Sequence, residues 1–321
     1  MVFSIPILKK MRLRFFVRKW IFISGSINRI LLRNVIFLGA CLTLVMLPGS
    51  DILGAELKPD TIEAWKRYQS LTEQRIEKEL SSGEGYLVQD FLPEKEREEC
   101  NHEIAEGGFC ILQMQTKTPE GKKIKVPDGL IHHWMGSIRV PGARLNELLE
   151  WIQNYDEHQK YFDEVEKSRL LKHNGNTFDI FYRLRRKKFI TVYYNTEHEV
   201  FYRLQDATHV SSASHTTKIA ELKDAGTPEE AEEPIGNDSG YMWRLNSYWR
   251  FHQVDDDVVM SCESISLSRS IPWPVSLFIR GIVNSVPRES LESTLNGIRD
   301  GFKKSKTAEK TNRKGESPPA E

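Results

Sequence analysis

IPWPVSLFIRGIVNSVPRESLESTLNGIRDGF, residues 271–302, follows a run of strand-like segments and reads as one long helix with an apolar face. Val275, Phe278, Ile279, Ile282 and Val286 recur at helical spacing in its first half, and Leu291, Leu295, Ile298 and Phe302 continue the stripe. Pro287 lacks an amide donor, so the helix is expected to kink or restart there, with Ser285 as cap and Glu289 and Glu292 in a favourable first turn. So long an apolar face needs a large partner surface, and the strands before it are the candidates.

Working back from that helix, residues 258–269 and 241–254 read as a hairpin across Asp255, Asp256 and Asp257, and residues 165–222 read as further strands. Two short amphipathic helices precede them, over 144–153 and about 156–162. Before these comes a strand, 130–140, that alternates with period two, so that Leu130, His132, Trp134, Gly136, Ile138 and Val140 share a face. The polar, acidic stretch 223–240 reads as a surface loop. Residues 56–128 read as a mainly helical extension, opened by a helix carrying Ile62, Trp65, Tyr68, Leu71 and Ile76 and with a weakly alternating strand candidate at 109–115. The segment 305–321 has no apolar period and is expected to be disordered.

The 45 basic and 45 acidic residues cancel, but eight of the basic ones lie before residue 34, where there is no acid. Residues 56–321 carry 37 basic and 44 acidic groups, a net of about −7. That balance, without a basic stripe, argues against nucleic acid as a partner. The basic stretch leads into VIFLGACLTLVML, residues 35–47, and then to Leu53-Gly54-Ala55. Thirteen uncharged residues are the length of a signal-peptide core and short of the roughly 20 that span a bilayer. Export to the periplasm or medium is therefore expected, with cleavage after Ala55 or retention as an inner-membrane anchor, and with Met1 or Met11 as the start. Leu38-Gly39-Ala40-Cys41 also resembles a lipobox, although the apolar run continues past the cysteine. Cys100 and Cys110 either pair in an oxidising compartment or remain thiols, and Cys262 reads as a buried hydrophobe.

The order strand, two short helices, about six antiparallel strands and a long C-terminal helix resembles the START-like or SRPBCC superfamily over residues 129–304. The resemblance rests on the strand running into Val140-Pro141-Gly142-Ala143, on WRLNSYWRF (243–251), on CESISLSRSIP (262–272) and on PRESLESTLNGIR (287–299). It implies an α+β helix-grip fold, a curved antiparallel sheet wrapped round the last helix and enclosing an apolar cavity. The superfamily includes lipid carriers, receptors, and cyclases and other enzymes, so fold alone selects no activity.

A three-residue hairpin loop would set Trp249 opposite Glu263 and gather Trp243, Leu245, Ser247, Trp249 and Phe251 with Glu263 and Ile265 on the helix side. Glu263 would then be a desolvated carboxylate that orients a ligand or acts as general base. The alternative is that a bulge turns it outward to an arginine on the other face. His132, Trp134, Trp243, Ser247, Trp249, Glu263 and Ile265 are thus the candidate ligand-binding residues. The expected function is an exported carrier or binding protein for a lipid or other hydrophobic small molecule. A cyclase- or hydrolase-like enzyme using Glu263 or His132 is the alternative, and a solid-cored interaction module a third. His132 and His133 are adjacent on a strand and cannot share a metal. Asp156 and His158 read as cap and solvated residues. The basic run Arg183, Arg185, Arg186, Lys187 and Lys188 reads as a solvated hairpin end or a contact for anionic membrane head groups. No HExxH, GxSxG, phosphate loop or CxxC is present, so neither metal nor cofactor is expected.

Overall fold

Nine strands and a long terminal helix dominate the chain. A computed structural model describes residues 55–188, 190–270 and 276–315, with side chains for 285–308 and 311 in the last stretch. The leader, its lipobox-like tetrad and residues 271–275 lie outside the described residues. The elements are β1 (Ala55–Glu56), α1 (Pro59–Ser82), a 3-10 turn (Val88–Phe91), α2 (Glu94–Ala105), β2 (Cys110–Gln113), β3 (Gly129–Val140), α3 (Leu145–Gln153), a second 3-10 turn (Tyr155–Lys160), β4 (Val165–Asn174), β5 (Thr177–Lys187), β6 (Thr191–Leu204), β7 (His209–Lys223), β8 (Ala231–Glu232), β9 (Asn237–Asp238), β10 (Arg244–Val254), β11 (Asp257–Arg269) and α4 (Ser276–Gly315). The main sheet runs β2-β3-β11-β10-β7-β6-β5-β4, with β8 beside β7. It is open, antiparallel and paired with the C-terminal helix, the helix-grip arrangement that the order of elements implies.

α4 passes through Pro287 as one helix and continues to Gly315, so residues 305–315 are helical where a disordered tail is expected. The 56–128 segment is also more than a helical addition, because it supplies the edge strand β2. Cys100 and Cys110 are disulfide-bonded, tying α2 to that strand.

Residues opposite one another on antiparallel strands share a face, so the register sorts the side chains. One row reads Trp134, Ser264, Ser247, Ser214, Val200 and Phe178 across β3, β11, β10, β7, β6 and β5. That row and its even-numbered neighbours on β3, with Ile138, Phe251 and Met260, face α4. Leu291, Leu295, Ile298 and Phe302 of α4 join Ile138, Val140, Phe251, Met260, Leu145 and Leu148 in the main core. Gly136 lets the helix come close: a Cβ there would stand 2.7 Å from a Leu295 methyl.

The other face is covered by the extension. Pro59 opens α1 in its first turn, and Gly83, at φ 71°, closes it in the left-handed region that suits glycine. Thr61, Ala64, Trp65, Tyr68, Thr72 and Ile76 fall at helical spacing and are buried. Trp65, Tyr68 and Ile76 pack with Trp243, Tyr248, Ile265 and Leu267. Leu87, Val88, Cys100 and Ile104 cover Met135 and Val259 beside them.

Because Leu295 is fully buried at the closest approach of helix and sheet, Leu295→Ala should cost about 2–5 kcal/mol of folding free energy. Urea unfolding measures this, and an unchanged midpoint would contradict the packing.

Candidate functional site

The β10–β11 hairpin decides which residues meet. Val254 pairs with Asp257, so the turn holds two residues, and Trp249 stands opposite Cys262 while Tyr248 stands opposite Glu263. The expected three-residue loop is one residue too long. Asp255 takes the tight turn at φ 52°, a left-handed conformation that aspartate tolerates better than most residues. One residue of register moves every β11 side chain to the other side relative to β10.

The expected cluster is therefore divided. His132, Trp134, Ser247 and Trp249 lie on the face toward α4. Glu263 and Ile265 lie on the outer face beneath α1. Trp243 precedes β10, leaves the alternation and joins the outer cluster, with its indole N–H donating to Asp238 at 3.1 Å. Glu263 does meet an arginine, as the alternative reading allows, but through register and not through a bulge.

On the outer face, Glu263 is wholly buried. Its Oε1 accepts from His133 Nε2 at 2.7 Å and from the Arg75 guanidinium of α1. The other His133 nitrogen meets the Tyr68 hydroxyl at 2.8 Å, and the Thr116 amide donates to that hydroxyl. These partners fit an Nε2–H imidazole, with Tyr68 donating to Nδ1. Arg75 also bonds Glu79 at 2.7 Å, and Glu79 accepts from buried Arg250 at 2.5 Å. Burial alone would raise the Glu263 carboxyl. The His133 hydrogen bond, with the charges of Arg75 and Arg250, outweighs burial and holds the carboxyl down at about 2. A carboxylate so placed is an anchor for α1, and it does not reach the space beside α4.

On the helix face, His132 bonds the Ser268 hydroxyl at 3.0 Å, and burial pushes its pKa down to about 4, so it is neutral at pH 7. Ser214, Ser247, Ser264 and Ser266 form a floor of small side chains on β7, β10 and β11, flanked by Trp134 and Trp249. All six are only half-buried, although they lie on inner strands and on the face where α4 packs. The Trp249 indole donates to Ser247 at 3.2 Å. The buried Trp134 indole N–H has no partner among the described residues. Nearer the apolar rows, leucines of α4 fill the space. The side chains of 276–284 are outside the described residues.

Two other sequence candidates change character. His158 is buried: one ring nitrogen meets the Tyr182 hydroxyl and the other the Ile152 carbonyl, each at 2.8 Å. Asp156 caps the Leu170 amide. In the basic run, Arg183 binds Glu230 and Glu166, Arg186 binds Glu164 and Lys188 binds Glu289, so much of its charge is met within the chain. Among the described residues no helix is long and apolar enough to cross a membrane, and no three or more metal-ligating side chains cluster.

No family model matches the sequence, and no curated protein is significantly similar to it. Among solved structures there are distant similarities. A STAR-related lipid transfer protein from Xanthomonas axonopodis is 14% identical with a TM-score of 0.40, covering 60% of this chain and 98% of that chain. Human STARD10 is 10% identical with a TM-score of 0.40, over 72% of this chain and 89% of that chain. The Zhui aromatase/cyclase from Streptomyces is 10% identical with a TM-score of 0.36, over 54% and 94%. These are START-related and aromatase/cyclase structures, the superfamily that the sequence resembles. At such identities and scores the likeness carries no argument, and function has to be read from this chain's own side chains.

The depressed Glu263 pKa fixes the sign of a pH effect. The folded value lies below the unfolded one of about 4.3, so the carboxylate's stabilisation is complete above that pH and is lost as pH falls toward 2. Glu263→Gln should flatten the fall in urea midpoint over that window, and superimposable profiles would remove the anchor assignment. Arg75→Met should cost roughly 3 kcal/mol at pH 7, since it leaves a buried charge short of a partner.

Proposed function

We propose that this protein is an exported binding or carrier module for a lipid or other hydrophobic small molecule, held between the serine rows of the sheet and the C-terminal helix. The observation that carries the reading is the half-exposed floor of Ser214, Ser247, Ser264 and Ser266 between Trp134 and Trp249, on inner strands of the sheet and beside the packed apolar core. Small residues leave volume where leucines would fill it. The flanking indoles offer apolar surface, and the partnerless Trp134 N–H offers one directed donor to a ligand carbonyl or hydroxyl. Pockets for apolar ligands have this composition: mostly hydrophobic walls and a few placed polar groups.

Export rests on the basic stretch and the apolar run that precede the domain, and the Cys100–Cys110 bond suits an oxidising compartment. The enzyme alternative loses Glu263 from this space. His132 remains beside it as a neutral imidazole tied to Ser268.

The test is native mass spectrometry of protein purified from its own compartment, followed by organic extraction, and by titration with N-phenyl-1-naphthylamine. A co-purifying hydrophobic molecule near one per chain is expected. Ser247→Trp, which fills the floor, should weaken probe binding at least about tenfold. Trp249→Ala should weaken it by a similar factor, the equivalent of about 1.5–3 kcal/mol of lost apolar contact. Wild-type affinity in both variants, with circular dichroism unchanged, would sink the assignment.

A further inference from the structure

Two histidines stand at the far end of the sheet, on the outer face that also carries Tyr248 and Arg250 but without a contact to Glu263. His209 opens β7 and His252 lies near the end of β10, directly opposite in the ladder. The Gln253 amide donates to the Thr208 carbonyl at 2.8 Å, which makes the neighbouring 209/252 pair a non-hydrogen-bonded one, the kind that brings side chains closest. The two rings stack at 4.2 Å between centroids with an angle of 25°. Tyr86 packs edge-on against His209 at 4.4 Å and holds one side of the stack.

Their hydrogen bonding leaves nitrogen lone pairs available. His209 Nδ1 lies 3.0 and 2.9 Å from the two oxygens of Asp206, and the Thr208 amide and hydroxyl hold that carboxylate in place. With Nδ1 facing Asp206, Nε2 makes no hydrogen bond with the described residues. His252 makes no hydrogen bond with the described residues.

We propose that His209 and His252 form a two-imidazole chelating site for a borderline divalent transition metal, Cu²⁺ or Zn²⁺, with Asp206 as the positioning carboxylate. Neutral imidazoles suit these ions, and a carboxylate behind the non-ligating nitrogen is the usual support for a metal-bound histidine. Asp206 keeps the His209 ring in place, and His252, which has no hydrogen bond to break, turns to aim a nitrogen at the same ion. Three or more ligating side chains do not converge among the described residues, so water completes the shell and affinity is micromolar and not nanomolar.

The test is calorimetric titration of the untagged full-length chain with CuSO₄ and with ZnCl₂ in a non-coordinating buffer at pH 7.5. Binding of one ion per chain is expected. His209→Phe and His252→Phe, which keep an aromatic ring in the stack, should each weaken it by at least about tenfold. Asp206→Asn should weaken it by about tenfold. His102→Ala and His173→Ala, which alter histidines elsewhere in the chain, should leave it unchanged. No wild-type binding below millimolar metal, or binding retained in both phenylalanine variants, overturns the site.

Discussion

A wholly buried carboxylate in the middle of a sheet must be given partners, and Glu263 receives them from two directions. His133 comes from the adjacent strand and Arg75 from the helix that closes over it. Removing a charge from water is costly unless the pairing and hydrogen bonding are good, and breaking one partner away costs more than the pair contributes. Glu263 therefore fixes α1 on the outer face of the sheet. The Arg250–Glu79 pair and the Tyr248–Glu73 hydrogen bond extend the same attachment along the helix. With β2 added to the sheet edge and a disulfide joining α2 to β2, the extension is structurally part of the domain.

This arrangement gives the sheet two buried faces with different chemistry. The outer one is mixed, with ion pairs set among Trp65, Tyr68 and Ile265. The helix side grades from large apolar residues, where Leu291 and Leu295 sit on Ile138 and Phe251, to small hydroxyls flanked by indoles. Successive residues of β10 serve the two faces in turn: Tyr248 and Arg250 bond to α1, while Ser247 and Trp249 form the floor opposite. The attachment under α1 thus holds the strands that carry the proposed ligand floor, and pre-positioned walls reduce what a ligand must order on binding.

The same division explains why local readings of polar residues changed. His158 stands in a stretch of polar residues, yet the fold turns it inward to Tyr182 and the Ile152 carbonyl. The basic run from Arg183 to Lys188 finds acids from β4, from the 223–240 loop and from α4 that are distant in sequence. A charge run has a meaning only with its spatial neighbours, and those are set by the topology.

The sequence by itself determined the long strands within 130–140, 165–222 and 241–269, the apolar stripe from Leu291 to Phe302 and the opposite orientation of His132 and His133, because periods of two and 3.6 are local properties of the chain. It offered Cys100 and Cys110 as a possible pair and left the choice open. Only the tertiary structure decided the register of β10 and β11. Hydrophobic alternation discriminates when one face is wet, but here both are covered, so Val258, Met260 and Cys262 compete evenly with Val259, Glu263 and Ile265 as the inward set. The turn gave no help, since Asp255-Asp256 lacks the glycine that marks a two-residue hairpin. Arg75 was invisible as the partner of Glu263 for the same reason: 188 residues separate them, and nothing short of the closed structure brings that charge to the carboxylate.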